Sequence, residues 1–139
     1  MRSLEECTER SEVEEFLVED MESQVIFRNP NRHPVEKIKV DDCVFGPAVG
    51  KRCDYLVNVH YTDKSFLIEL KGSDIYAAYE QLRQTQVTLA VYLKKKRLWI
   101  ISHSGIPHYT TSKEEIIEHA RIDEKTHLII KRSPYTHTL

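Results

Sequence analysis

The chain has 139 residues, of which 30% are charged and 40% belong to the hydrophobic set, the composition of one soluble globular domain with a core of its own. A formal net charge of −2 excludes a global electrostatic pull on nucleic acid, so any such contact must come from local basic patches. The odd cysteine count (Cys7, Cys43 and Cys53) lacks CxxC spacing, which argues against a zinc knuckle and against a disulfide framework.

The N-terminus carries no apolar leader segment, and no apolar run approaches the length of a membrane span. A cytoplasmic protein with no membrane contact is therefore expected. The first periodic segment runs from about Glu9 to Ser23. At 100° per residue, Val13, Phe16, Leu17 and Gln24 share one face, and Glu9 and Asp20 fall within it. This predicts a helix with an acidic outer surface. Asn29-Pro30-Asn31-Arg32-His33-Pro34 then reads as a loop, because each proline biases its predecessor out of the helical region.

Three strands follow. The first spans roughly Ile38 to Phe45 and the second Cys53 to Tyr61, with Thr62-Asp63-Lys64 as a hairpin turn. The third, Ser65 to Lys71, is almost wholly apolar and reads as a central strand buried on both faces. Cys43 and Cys53 fall in these strands as small core residues. After Gly72, Ser73 or Asp74 can cap a long helix reaching about Leu93, with Ile75, Ala78, Tyr79, Leu82, Gln86 and Leu89 along one stripe. A strand from Arg97 to Ser102 contains Trp99 as a core residue. Ser112 with Glu115 matches a capping box for a short helix to about Ala120, and Thr126 to Lys131 is a last strand. The expected unit is a single domain over residues 1–133, with a polar tail over 134–139. The seven histidines show no i,i+4 ligand pair and read as surface residues.

Two stretches interrupt the apolar pattern with charge. Asp54 stands at the start of the second strand, and Glu69-Leu70-Lys71 at the end of the third. Side chains in a strand alternate, so Glu69 and Lys71 share a face. In an antiparallel pair the start of one strand lies beside the end of the next, so Asp54 and Glu69 can meet. A carboxylate in such a place is costly unless it is paired or holds a metal. The plain alternative is structural: Asp54 caps a strand, and Glu69 pairs with Lys71 or Arg52. The chemical reading is a Mg²⁺ (or Mn²⁺) site held by Asp54, Glu69 and the carbonyl of Leu70, with Lys71 orienting water or balancing charge on a phosphate.

These residues, in this order of elements, resemble the PD-(D/E)XK, or restriction-endonuclease-like, nuclease superfamily, in its small single-domain, Holliday-junction-resolvase-like form. Asp54 matches the strand aspartate of that family, Glu69 its acidic partner and Lys71 its lysine. Gln81 resembles the helical glutamine that many members add, and Glu9 the first-helix glutamate that completes the metal site in some. The resemblance implies an α/β fold: a mixed central sheet in αβββαβ order flanked by helices, here with an extra C-terminal helix and strand. It also implies Mg²⁺-dependent hydrolysis of DNA, with DNA ahead of RNA as substrate. The chain is then expected to act as a homodimer or as the nuclease subunit of a larger DNA-processing or anti-phage assembly. Lys51, Arg52, Lys94, Lys95, Lys96 and Arg97 are the expected phosphate contacts. A non-catalytic module of the same fold, binding nucleic acid or a protein partner, is the alternative.

Overall fold

The apolar runs of the second half of the chain build the centre of the molecule. The computed structural model describes residues 3–21, 23–46, 52–71, 74–104 and 126–139. Among them, six strands form one sheet: β1 (Thr8–Ser11), β4 (Val35–Lys39), β5 (Tyr55–Val59), β6 (Lys64–Lys71), β7 (Lys96–His103) and β8 (Thr126–Arg132), side by side in the order β1-β4-β5-β6-β7-β8. Pairing is antiparallel from β1 to β6 and parallel from β6 to β8. The reversal between β5 and β6 runs through a 3-10 turn at His60–Thr62 and then Asp63, at φ 54°, a left-handed conformation that aspartate tolerates better than most residues. A parallel pair cannot be closed by a tight turn. The β6–β7 crossover is supplied by α1 (Ile75–Thr88), whose N-cap Asp74 accepts the Ala77 N–H at 3.0 Å.

Each face of the sheet is covered differently. On one face Ile38, Leu56, Leu67, Trp99 and Ile101 pack with Ile75, Ala78 and Leu82 of α1. The buried Trp99 indole donates to Gln86 Oε1 at 2.8 Å, which satisfies the one polar group of that ring. The other face carries a small sheet of β2 (Glu15–Glu19), β3 (Gln24–Arg28) and β9 (Tyr135–Thr138), in the order β2-β3-β9. Val18, Val25 and Phe27 of this sheet pack with Val57, Phe66, Ile68 and Ile100. Phe27 stacks on Phe16 at 5.0 Å and meets Phe66 edge-on at 5.3 Å. The layers are therefore helix, six-stranded sheet and three-stranded sheet. β6 is buried on both sides, as its apolar run predicts.

Several expectations are corrected. The predicted first helix is two strands, β1 and β2. Val13, Phe16 and Leu17 fit a helical stripe, but Phe16 and Val18 fit the alternation of a strand, with Val18 buried between exposed Leu17 and Glu19. A turn decides between them: the Ser23 N–H donates to Asp20 Oδ1 at 2.9 Å and the Asp20 N–H to the Ser23 carbonyl at 3.1 Å, closing a β2–β3 hairpin. The expectation of helices on both faces fails with it, since the small sheet takes the place of the first helix among the described residues. Cys7 and Cys43 form a disulfide although they are 36 positions apart, while Cys53 is a buried free thiol. The strand expected to reach Phe45 stops at Lys39, and α1 stops at Thr88, short of Leu93. The residues expected as a polar tail include β9, which runs parallel to β3. His103, expected on the surface, is buried, at 8% exposure. The predicted helix over residues 112–120 lies outside the described residues. No described helix is long and apolar enough to cross a membrane.

The two sheets are held together chiefly through Phe27. Phe27→Ala is expected to cost about 3–5 kcal/mol, the range for an aromatic deleted from a packed core, read from the urea midpoint. His137 lies edge-on to Phe27 and Phe66, where burial, with the Lys64 charge adding to it, lowers its pKa. A base with a depressed folded pKa keeps the protein stable above its unfolded value and loses that stability as pH falls towards its folded one. Stability should therefore drop as pH falls below about 6.5, and His137→Gln should flatten that part of the profile in urea titrations across the range.

Candidate active site

The antiparallel pairing of β5 with β6 brings Asp54 to the end of β6. The Asp54 N–H donates to the Ile68 carbonyl at 3.0 Å, its own carbonyl accepts the Val40 N–H at 3.0 Å, and its carboxylate Oδ2 accepts the Leu70 N–H at 2.7 Å. The Asp54 carboxylate is thus fixed against the backbone of the residue that follows Glu69. Glu69 lies on the α1 side of the sheet, in line with Leu67, and is only 2% exposed.

Both carboxylates act on one sulfur. Burial pushes the Cys53 thiol well above its usual range, the Thr85 hydrogen bond opposes this, and the negative charges of Glu69 and Asp54 raise it further. Cys53 is thereby kept a neutral thiol, a poor nucleophile.

A helix side chain closes the arrangement. Thr85 Oγ1 accepts the Cys53 N–H at 2.8 Å and donates to the Gln81 carbonyl at 2.7 Å. One hydroxyl thereby pins the Gln81–Thr85 turn of α1 to the residue before Asp54. Gln81 is buried, and its Oε1 makes no hydrogen bond among the described residues. Buried acceptors of this kind are uncommon in folded proteins, and each calls for a partner from outside the chain or an ordered water.

The other expected residues are distributed as follows. Lys71 closes β6, with its backbone in register with His103 of β7; its side chain lies outside the described residues, as does Lys51. Arg52 stands two positions before Asp54, with its guanidinium 5.3 Å from the centre of the Phe45 ring. Glu9 is removed from the site. It sits on β1 opposite Lys37, with which it forms a 3.4 Å ion pair, and the row Glu9–Lys37–Val57–Phe66 belongs to the face of the small sheet. Its assignment depended on a helix that is a strand. Lys94, Lys95, Lys96 and Arg97 lie at the opposite end of the sheet. Lys96 pairs with Lys64, whereas Glu69 pairs with Ile101, which puts roughly 16 Å of strand between them at about 3.3 Å per residue.

Sequence reasoning missed Thr85 and His103. His103 lies two residues past buried Ile101 and on the same side of the sheet as Glu69, a placement set by the parallel register of β6 and β7. Among the described residues no three His, Cys, Asp or Glu side chains gather as a metal-binding group. Comparison with protein-family models, with curated proteins and with solved structures finds no match for this chain.

Replacing the Thr85 hydroxyl by a methyl leaves the Cys53 N–H without its acceptor in a buried position. Thr85→Val is therefore expected to cost about 1–3 kcal/mol, seen as a lower urea midpoint at unchanged slope.

Proposed function

We propose that this chain is a metal-dependent nuclease of the PD-(D/E)XK type that hydrolyses DNA phosphodiester bonds. The observation that carries the reading is the pairing of β5 with β6, which sets Asp54, its carboxylate bonded to the Leu70 N–H, beside the end of β6 that carries the buried Glu69. The succession β4-β5-β6-α1-β7 agrees with the βββαβ part of the expected core.

The donor set suits a hard divalent cation. Mg²⁺ is commonly held by one or two carboxylates, with waters and substrate phosphate completing its shell. Asp54 and Glu69 are the two carboxylates, and the carbonyl of Leu70 is a third oxygen for the same shell. At such a site the cation neutralises charge on the phosphate and acidifies water. The chain's own residues prepare that chemistry. The Leu70 N–H holds the Asp54 carboxylate in place, and burial of Glu69 keeps competing water away from it. Lys71, two positions on, orients the attacking water and balances charge developing on the phosphate. Gln81 supplies a side-chain amide with an unused acceptor beside them. The reading includes a homodimer, or a larger DNA-processing or defence assembly that delivers the chain to its target.

Asp54→Asn keeps an acceptor for the Leu70 N–H but loses the charge, and Glu69→Gln keeps the volume and loses the charge. Each of these variants, and Lys71→Ala, is expected to lower Mg²⁺- or Mn²⁺-dependent cleavage by about 10²-fold or more, with the thermal transition retained. The assay is a panel of duplex, branched and single-stranded DNA and RNA with and without metal. A wild-type chain that cuts none of them sinks the enzyme reading in favour of the binding module.

A further inference from the structure

The three parallel strands end in one row. Lys71 of β6 is in register with His103 of β7, and His103 with Arg132 of β8. In open α/β sheets, ligands bind in the crevice outside the carboxyl ends of the parallel strands, and here those ends carry three basic residue types side by side. His103 and Arg132 continue the alternation of Ile101 and Ile130, which pack on the α1 side. Both therefore belong to the face that carries Glu69. Neighbouring strands are about 4.8 Å apart, so the row leads away from the carboxylate pair by roughly 10 Å at Arg132. Arg132 is exposed and forms no ion pair among the described residues. Its backbone is held in place, because the N–H of the next residue, Ser133, donates to the His103 carbonyl at 2.7 Å.

We infer that His103 and Arg132 form a phosphate-binding row at the carboxyl edge of β7 and β8, which holds the sugar–phosphate backbone of a nucleic-acid strand beside Asp54 and Glu69. The identity of the polyanion rests on the nuclease reading above. The row replaces the Lys94–Arg97 stretch as the contact surface. That stretch lies at the far end of the same strands, and a strand lying in the carboxylate site leaves along the carboxyl edge. Arg132 presents a planar fork suited to two phosphate oxygens, and His103, buried next to it in register, lines the row.

The test is fluorescence anisotropy with short labelled single-stranded and duplex oligonucleotides in EDTA over a salt series, with Mg²⁺-dependent cleavage measured in parallel. Arg132→Ala is expected to weaken binding about 5- to 20-fold and to lower the salt slope by about one. Arg132→Lys should keep the slope while losing part of the affinity, and His103→Gln should weaken binding less than Arg132→Ala. The double substitution Lys95→Ala with Lys96→Ala should leave the slope where it was. The row is overturned if Arg132→Ala binds as the wild type does, if the Lys95/Lys96 pair carries the slope instead, or if the wild type binds no oligonucleotide. A wild type that binds through Arg132 and cuts nothing overturns the nuclease reading and leaves the row standing.

Discussion

β6 has no side that faces water, and the rest of the molecule is arranged around that constraint. Phe66, Ile68 and Leu70 point towards the small sheet, and Ser65, Leu67 and Glu69 towards α1. A strand buried on both faces needs neighbours on both edges and a layer on each side. β5 and β7 supply the edges, α1 one layer and the β2-β3-β9 sheet the other. Such a strand tolerates an ionisable residue only where the cost is offset by something gained. Glu69 is that residue. It lies at the end of the strand, where Asp54, Cys53 and the Gln81–Thr85 turn meet.

The two ends of the sheet handle buried polarity in opposite ways. Near the start of β6, Ser65 Oγ donates to Asn58 Oδ1 at 2.6 Å and accepts the Lys94 N–H at 2.7 Å, while Asn58 Nδ2 donates to the Tyr92 carbonyl at 3.3 Å. That network is closed within the chain. It anchors the connection from α1 to β7. At the other end the Asp54 carboxylate is held by the Leu70 N–H, and Gln81 keeps a buried acceptor with no hydrogen bond among the described residues. A fully satisfied buried network rigidifies a fold, whereas a buried acceptor without a bond calls for an ordered water or another partner.

What the sequence makes legible follows from how local each signal is. The run Ser65 to Lys71, the stripe of α1 and the strand around Trp99 carry their own period, and all three appear close to where they are expected. Asp54 and Glu69 are joined by a single hairpin, so their meeting needs one short-range inference. The Glu9–Ser23 segment carries a pattern that fits both periods, and the Asp20–Ser23 turn that settles it resembles ordinary polar sequence. The Cys7–Cys43 bridge depends on β1 pairing with β4, which brings the residue before one strand near the turn after the other. Thr85 and His103 join the site through α1 docking and parallel pairing, neither of which leaves a mark in adjacent residues.

Charge placement completes the account. With a net charge of −2, the chain pairs three of its 22 acidic residues, Glu5, Glu9 and Glu36, with bases at the β1–β4 edge of the sheet. Glu9 faces Lys37 across the β1–β4 pair, and Arg10 links Glu5 and Glu36. Exposed pairs of this kind contribute little stability, but they keep an edge strand from recruiting another chain. They also hold those acids on β1 and β4, where their basic partners are within reach. Asp54 and Glu69 lie instead where β5 meets the end of β6, with Arg132 at the carboxyl end of β8 on the Glu69 face. Acids paired at one edge and acids gathered at the carboxyl end are two uses of the same residue types, and burial separates them. The Glu9 side chain is 79% exposed, whereas Glu69 is 2% exposed, so the charge of Glu69 meets its surroundings with far less screening by bulk water than that of Glu9.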